Sequence, residues 1–487
     1  MPRWVSVRRS ALAGVMVLAA ACGNGDGGDP GGSASGPSPS NPPQTVAAET
    51  GDPLVDPPVI ASSGGTLQAT LNVAATDVSI GGVDVTAQTY NGSYQPPTLR
   101  MRPGDHVEIT IVNGLDEGTN LHVHGLHVSP VNPGDNVLIS IAAGESYTYV
   151  YDLPADHAPG AYWYHSHEHT VSEAQVFAGL SGTIVVEGLD ELLPAELAAV
   201  THHTLGLKDV QISDRGTIPS ENIDSNAATT RLVNGQVQPV IAMRPGETQI
   251  WGLANTGADI FYRLSLGGAS FTVLAEDGNP VASTREEDEL VLPPGKRFDV
   301  AVQAPADGGD GLALSTLGYD QGGDQYPEVL LASVDVAGAP IEPLALPTSV
   351  GTFEDLRDAE VAETRHFAFS EEDAENKFFI NGKQFSHDRV DTTVALGTVE
   401  EWTIANESTE QHPFHIHVDD FQVISVNGED YDADGWQDTV ILPPGGEVVI
   451  RLAFRDFTGK FVYHCHILNH EDNGMMGVVE VVDDQAA

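Results

Sequence analysis

The sequence contains only two cysteines, Cys22 and Cys465, among 487 residues. This scarcity excludes a scaffold held together by several disulfides. The two cysteines also lie in different kinds of segment, since Cys22 follows an apolar run and Cys465 lies in a histidine-rich motif. We therefore expect no disulfide between them, and Cys465 is left free to act as a thiolate ligand.

Basic residues are also scarce, with 21 Lys and Arg against 70 Asp and Glu, and the formal net charge is -49. A protein that binds nucleic acid needs a basic surface to neutralise phosphates, so a nucleic-acid function is excluded. Such an acidic excess is ordinary for a well-solvated surface. It also produces an electric field that attracts metal cations and aromatic amines.

Long apolar runs are lacking except at residues 11–21, a run that is too short to span a bilayer. Basic residues precede this run, so residues 1–22 are predicted to be an export signal. The sequence before Cys22 resembles a bacterial lipobox, which favours lipidation of Cys22 over simple cleavage. The expected location is periplasmic or cell-surface, with the lipid as the only membrane anchor. The pair Arg8-Arg9 leaves the general secretory and twin-arginine export routes open.

The remainder of the chain divides into a tether and a strand-rich region. Residues 23–58 are rich in Gly, Ser and Pro and poor in apolar residues, so they are expected to form a flexible tether. From about residue 66, short runs of Val, Ile, Thr and Tyr alternate with turn residues, which predicts strands. A short helical pattern occurs at residues 191–199. The expected fold class is therefore all-β, built from sandwiches or barrels.

Two sequence units recur three times along this region. The first unit ends at Asn113, Asn255 and Asn406, and the second begins with a Gly-containing turn near residues 144, 295 and 445. Such self-similarity predicts three copies of one β-domain. We place the copies at residues 59–190, 191–355 and 356–487.

The first and third copies carry matching His-x-His pairs, whereas the middle copy has none. In each outer copy, one pair lies nine and eleven residues after the repeated Asn, and a second pair follows the repeated turn. The pairs are His122 and His124, His165 and His167, His415 and His417, and His464 and His466. The middle copy has Leu264, Leu266, Thr316 and Gly318 at these positions. Eight histidines in matching register indicate one shared function.

Residues two apart on a strand point to the same face, so both rings of each pair face one side. Four pairs together provide eight imidazoles. If the outer copies face each other, these imidazoles can form a cluster between them. Such a set suits three copper ions, with coordination positions left open for oxygen.

A second kind of site is predicted around Cys465, which lies between His464 and His466 and therefore points to the opposite face of the strand. His412 lies three residues before His415 and is expected to turn toward Cys465. His470 and Met475 follow on the next loop. Two His, one Cys and a weak axial Met are typical of a mononuclear copper site, whereas zinc more often has a second Cys or a water ligand. Met476 is an alternative axial ligand.

These motifs resemble those of the three-domain multicopper oxidases, and most closely bacterial laccases of the spore-coat type and bilirubin oxidases. The motifs are His122-Val-His124-Gly, His165-Ser-His167, His412-Pro-Phe-His415-Ile-His417 and His464-Cys465-His466-x3-His470-x4-Met475. The resemblance covers roughly residues 60–482. It implies three consecutive cupredoxin-like Greek-key domains and four copper ions. It also implies one-electron oxidation of a donor coupled to four-electron reduction of dioxygen to water.

The resemblance further implies a role for each motif residue. Type 1 copper would be bound by His412, Cys465, His470 and Met475, and type 2 copper by His122 and His415. The two type 3 coppers would be bound by His124, His165 and His466, and by His167, His417 and His464. Glu471 matches a carboxyl group that delivers protons to reduced oxygen, and Asp135 is a candidate for a second one. Four other histidines are expected in supporting, surface or packing positions: His127, His169, His202 and His203.

The donor is the least determined part of the predicted function. A laccase-like oxidase of phenols and aromatic amines is favoured, acting as a monomer. The alternative is an oxidase of manganous, ferrous or cuprous ions, and the low number of methionines, six, argues against the cuprous form. A cupredoxin scaffold without activity is disfavoured because every ligand position is filled.

Overall fold

A computed structural model of the protein describes residues 51–308, 312–372 and 376–483. The predicted export signal, Cys22 and the first part of the predicted tether lie outside these residues. Most of the described chain forms short strands, as the turn-rich sequence predicts. Within the described part of the chain, no helix is long and apolar enough to cross a membrane.

The first pair of sheets is formed by nine strands: β1 (Val59–Ala61), β2 (Thr66–Ile80), β3 (Val83–Tyr90), β4 (Thr98–Met101), β5 (His106–Asn113), β6 (His122–His124), β7 (Ser146–Asp152), β8 (Gly160–His165) and β9 (Ser181–Val186). One sheet has the strand order β3-β2-β5-β7 and the other β1-β4-β9-β8-β6. Helix α1 (Ser172–Ala178) precedes β9. In β5, alternate residues Val107, Ile109 and Ile111 are buried, as expected for a strand with one face on a core.

The second pair of sheets follows two one-turn helices, α2 (Leu189–Leu192) and α3 (Ala195–Ala198). Its strands are β10 (Thr201–Val210), β11 (Thr230–Val233), β12 (Val240–Met243), β13 (Thr248–Asn255), β14 (Tyr262–Ser265), β15 (Phe271–Glu276), β16 (Asn279–Glu287), β17 (Glu289–Leu292), β18 (Arg297–Gln303), β19 (Ala313–Thr316), β20 (Tyr319–Asp320), β21 (Gln325–Tyr326) and β22 (Val329–Val336). The sheets have the orders β11-β10-β13-β18-β15-β16 and β12-β22-β19-β14-β17, and β20 and β21 form a separate hairpin.

The third pair of sheets follows a 3-10 turn at Leu356–Asp358. Its strands are β23 (Val361–Glu372), β24 (Lys377–Ile380), β25 (Thr392–Ala395), β26 (Thr398–Asn406), β27 (His412–Ile416), β28 (Phe421–Val426), β29 (Glu429–Asp430), β30 (Thr439–Leu442), β31 (Glu447–Phe454), β32 (Gly459–Cys465) and β33 (Met476–Val482). The sheets have the orders β24-β23-β26-β31-β28-β29 and β25-β33-β32-β27-β30, and helix α4 (Leu468–Asp472) precedes β33.

The three sheet pairs share one topology. Strands β6, β14 and β27 occupy the same place in their sheets, and each pairs antiparallel with the strand that corresponds to β8 in the first copy. Strands β5, β13 and β26 likewise pair in parallel with the first strand in chain order of their own sheet, which is β2, β10 and β23 respectively. The predicted fold class is therefore confirmed: the protein is all-β, with three consecutive cupredoxin-like domains.

The repeated asparagines have the same structural role in each domain. The side-chain amide of Asn113 donates to the carbonyls of Glu117 and Ile141, both at 2.8 Å. Asn255 and Asn406 each donate to two carbonyls at corresponding positions, at 2.7–3.2 Å. These bonds join the end of one strand to the next loop and to a later strand. A buried amide that satisfies two carbonyls is costly to replace, which explains why this residue marks the repeat.

The structure corrects two predictions of local structure. The last residues of the predicted tether contact the middle domain, because Leu54 donates its N–H to the carbonyl of Val240 at 2.8 Å and Asp56 lies 3.1 Å from His203. The helix predicted over 191–199 is two separate turns. Pro194 divides them, since it lacks an N–H and keeps Leu193 extended, with ψ of 156°.

Candidate metal centres

A mononuclear centre forms where β27 begins and β32 ends. The Sγ of Cys465 lies 3.5 Å from Nδ1 of His412 and 3.6 Å from Nδ1 of His470, and the two nitrogens are 3.2 Å apart. A point equidistant from three such atoms lies about 2 Å from each, the length of a metal–imidazole bond. The predicted His-Cys-His set is thus brought together. His470 lies on helix α4 rather than on the predicted loop.

The two methionines that follow point into different surroundings. Met475 is fully buried in the same apolar cluster as Cys465, and its carbonyl accepts the Cys465 N–H at 3.1 Å. Met476 begins β33 and packs with Val137 and Val462 in another cluster. Of the two methionines, Met475 therefore shares the apolar surroundings of Cys465.

The environment of this centre requires a bound cation. Burial raises the pKa of the Cys465 thiol well above its usual value, so the thiolate is stable only with a cation beside it. Burial also lowers the pKa of His412 to about 4, which keeps its imidazole neutral and able to coordinate. Nε2 of His412 lies 2.8 Å from the Ser408 hydroxyl, and Phe378 stacks on His470 at 4.0 Å. These contacts hold both rings in place.

The eight histidines of the four pairs form one buried cluster between the first and third domains. His122 pairs with His165 across β6 and β8, and His415 pairs with His464 across β27 and β32. Rings from opposite domains stack, with 3.8 Å between the His122 and His417 centroids. This arrangement agrees with the prediction that the first and third copies meet through these histidines.

Within the cluster, several pairs of ring nitrogens face each other. Nε2 of His464 lies 3.3 Å from Nε2 of His167 and 3.2 Å from Nε2 of His417. In the second set, Nε2 of His466 lies 3.1 Å from Nδ1 of His124. At such separations, two facing nitrogens can each donate a lone pair to one metal ion between them.

Three other rings have a nitrogen that is suited to a metal. Nε2 of His122, His165 and His415 is buried without a hydrogen-bond partner among the described residues. Their Nδ1 atoms instead contact oxygen acceptors at 2.8–2.9 Å: the Asp135 carboxylate and the carbonyls of Ser166 and Asp438. An Nδ1–H held in this way leaves the Nε2 lone pair for a metal. The donor set of the cluster therefore fits copper, which favours imidazole.

Two predicted carboxyl groups lie at the edge of the cluster. The oxygens of Glu471 are 3.3 Å from Nδ1 of His167 and 3.2 Å from Nδ1 of His464. Burial raises the pKa of Glu471 well above its usual value, so this carboxyl keeps its proton to a higher pH than an ordinary glutamate does. Burial raises the pKa of Asp135 to about 7, while its contact with the Val123 N–H opposes the shift. Both groups are close enough to exchange protons with the cluster surroundings.

Sequence reasoning missed the contribution of the middle domain. The Arg297 guanidinium forms two hydrogen bonds to the Asp438 carboxylate, at 2.8 and 2.7 Å, and Asp438 in turn lies 3.3 Å from Nε2 of His124. One indication was present in the sequence: the repeated turn is followed by Lys296-Arg297 only in the middle copy, although basic residues are scarce.

Four histidines that were expected in supporting, surface or packing positions lie outside the two metal centres. His127 lies 2.7 Å from the Val418 carbonyl and 3.0 Å from Asp456, and His169 lies against Phe385. His203 contacts Asp56. His202 is exposed at the start of β10.

Three regions of the chain match family models described as multicopper oxidase: residues 72–191, 199–311 and 358–485. A multicopper oxidase of Staphylococcus aureus is 30% identical over 411 residues, which cover 80% of this chain and 83% of that protein. A metallo-oxidase structure from Campylobacter jejuni matches with a TM-score of 0.80 and 28% identity, covering 91% of this chain and 98% of that chain. A laccase-like multicopper oxidase from Ochrobactrum sp. matches with a TM-score of 0.78 and 28% identity, covering 88% and 100%.

Proposed function

Because the chain belongs to the multicopper oxidase family, we propose that it oxidises phenols and aromatic amines one electron at a time and reduces dioxygen to water. The observation that carries this proposal is the position of Cys465 between His464 and His466, which makes one strand part of both metal centres. Copper bound at the two centres supplies the one-electron redox steps and the reduction of dioxygen.

We assign the ligands according to their positions in the four sequence motifs. Type 1 copper is assigned to His412, Cys465 and His470 with Met475 as the axial ligand, type 2 copper to His122 and His415, and the type 3 pair to His124, His165 and His466 and to His167, His417 and His464. Support comes from the short separations of these atoms and from the unpaired Nε2 atoms described above.

Electrons can move between the centres along two routes through the protein. One route follows the backbone from Cys465 to either neighbouring histidine. The other crosses the hydrogen bond from Nδ1 of His464 to the carbonyl oxygen of Cys465, at 2.9 Å. Both routes are short and rigid, because the strand is buried and paired on both sides.

The donor is proposed to meet the protein at His470. Its ring is 8% exposed, whereas His412, Cys465 and Met475 are fully buried. An aromatic donor needs only to approach this imidazole edge to pass on an electron. The Ochrobactrum relative has oxidase activity towards lignin model compounds, which supports an aromatic donor here.

A specific contact favours the metal-ion oxidase as second candidate. Glu371 lies 3.5 Å from the outer nitrogen of His412, and Glu410 lies 3.4 Å from that of His470. A ferrous or manganous ion on these carboxylates would be one imidazole away from the type 1 position. The net charge of -49 would also attract such ions, and the Campylobacter relative is a metallo-oxidase.

Steady-state kinetics with Glu410→Gln separates the two donors. We expect higher kcat/KM for a phenol and an aromatic amine than for ferrous, manganous or cuprous ions, and no selective loss of metal-ion oxidation in the variant. Glu407→Gln, an exposed acid on the same loop, is the control. The metal-ion function replaces the laccase-like one if a metal ion is the best donor and Glu410→Gln alone lowers its kcat/KM at least tenfold.

Export, lipid attachment at Cys22 and a monomeric state are also proposed. The first two rest on the sequence of residues 1–22 alone. Fractionation of cells that produce the natural chain or Cys22→Ala tests the anchor, since only the natural chain should sediment with membranes.

A further inference from the structure

The middle domain provides none of the assigned ligands, yet its repeated turn touches two of them. Gly295 has a φ of +87°, and a Cβ at this position would lie 2.9 Å from Cδ2 of His466 and 3.0 Å from Cε1 of His124. At the corresponding Gly144 and Gly445 of the outer domains, a Cβ would meet nothing within 4 Å among the described residues. The middle copy of the turn therefore packs against the cluster, unlike the other two.

Arg297 follows this turn and is fully buried. Its guanidinium binds both oxygens of Asp438 and also donates to the carbonyl of Gly295 at 3.1 Å. A planar guanidinium holds a carboxylate in one orientation through two parallel hydrogen bonds. Arg297 therefore fixes Asp438 of the third domain and the turn of its own domain at the same time.

The orientation of Asp438 determines which nitrogen of His124 carries the proton. Oδ1 of Asp438 lies 3.3 Å from Nε2 of His124, and Nδ1 of His124 lies 3.1 Å from Nε2 of His466. A carboxylate on the Nε2 side selects the Nε2–H tautomer and leaves the Nδ1 lone pair for a metal. This chain of contacts joins all three domains: it runs from Arg297 of the second domain through Asp438 of the third to His124 of the first.

We propose that Arg297 is a positioning residue for the trinuclear copper centre: it acts through Asp438 on the tautomer of His124, while Gly295, which has no Cβ, lets the turn pack against the rings of His124 and His466. This inference rests on the proposed function, because it requires His124 and His466 to bind copper. The middle domain would thus help to assemble the trinuclear centre, although it provides none of the assigned ligands.

Copper content and spectra of Arg297→Gln test the proposal. We expect copper to fall from four ions per chain to three or fewer, with a changed paramagnetic resonance signal from the cluster, while the blue band of type 1 copper keeps its intensity per chain. Arg297→Lys keeps the buried charge without the paired hydrogen bonds, so it should retain the fold and show the same selective loss to a smaller extent.

Arg285→Gln is the matched control. Arg285 also joins the middle and third domains, 2.8 Å from Asp434, but within the described part of the chain it contacts carboxylates and the Phe298 ring rather than a histidine of the cluster. This variant should keep four coppers. The proposal is overturned if both Arg297 variants keep four coppers and an unchanged resonance spectrum, or if they lose type 1 and cluster copper equally. A natural chain that never binds four coppers would instead contradict the proposed function itself.

Discussion

Replacing Cys465 with serine is expected to abolish the blue absorption and the oxidation of every donor together. A serine hydroxyl does not supply the soft anionic sulfur that copper binds at this position. The substitution also removes the sulfur that lies 3.5 Å from Nδ1 of His412 and 3.6 Å from Nδ1 of His470. Copper analysis should give three ions per chain rather than four, because the eight-histidine cluster is retained.

Ser166 offers a matched position for this experiment. It lies between His165 and His167 in the first domain, as Cys465 lies between His464 and His466 in the third. Ser166→Ala should keep the blue band, since the first domain is assigned no type 1 site. Turnover that persists in Cys465→Ser would show that the type 1 assignment is wrong.

Replacing Glu471 with glutamine is expected to slow dioxygen reduction by about 100-fold or more, the size of a general acid contribution, while the blue colour remains. Glutamine has nearly the same shape but no proton to transfer. Burial raises the pKa of the Glu471 carboxyl, so the group keeps its proton to a higher pH than an ordinary glutamate does. The contacts to His167 and His464 place the group beside two assigned ligands of one type 3 copper.

Stopped-flow mixing of donor-reduced protein with dioxygen measures this step through the return of the blue band. Bleaching of the blue band by donor without oxygen should be unchanged in the variant. Glu173→Gln is the control, because this mostly buried acid accepts a hydrogen bond from Asn469 at 3.0 Å and, among the described residues, contacts no histidine of the cluster. A normal rate of reoxidation in Glu471→Gln would mean that the carboxyl supports the structure only.

Much of the fold and site followed from period-two patterns within single strands. The alternation of His464, Cys465 and His466 predicts two opposite faces, and the structure has the mononuclear set on one face and the cluster on the other. The repeated asparagines made the three copies visible because each one satisfies two carbonyls in its own domain. Such local requirements can be read from the sequence.

Contacts between distant segments could not be read in the same way. Arg297 and Asp438 are 141 residues apart, and no spacing rule states that this turn of the middle domain meets the cluster. The contact of Asp135 with His122 likewise depends on how the loop after β6 folds back. Helix α4 was predicted as a loop because a single turn is too short to show helical periodicity.

The most direct test of the account is the copper content and visible spectrum of the pure, copper-loaded natural chain. Four coppers per chain with an intense blue band are predicted, since the described residues hold one His-Cys-His set and one eight-histidine cluster. A single copper per chain, or a colourless four-copper protein, would contradict it.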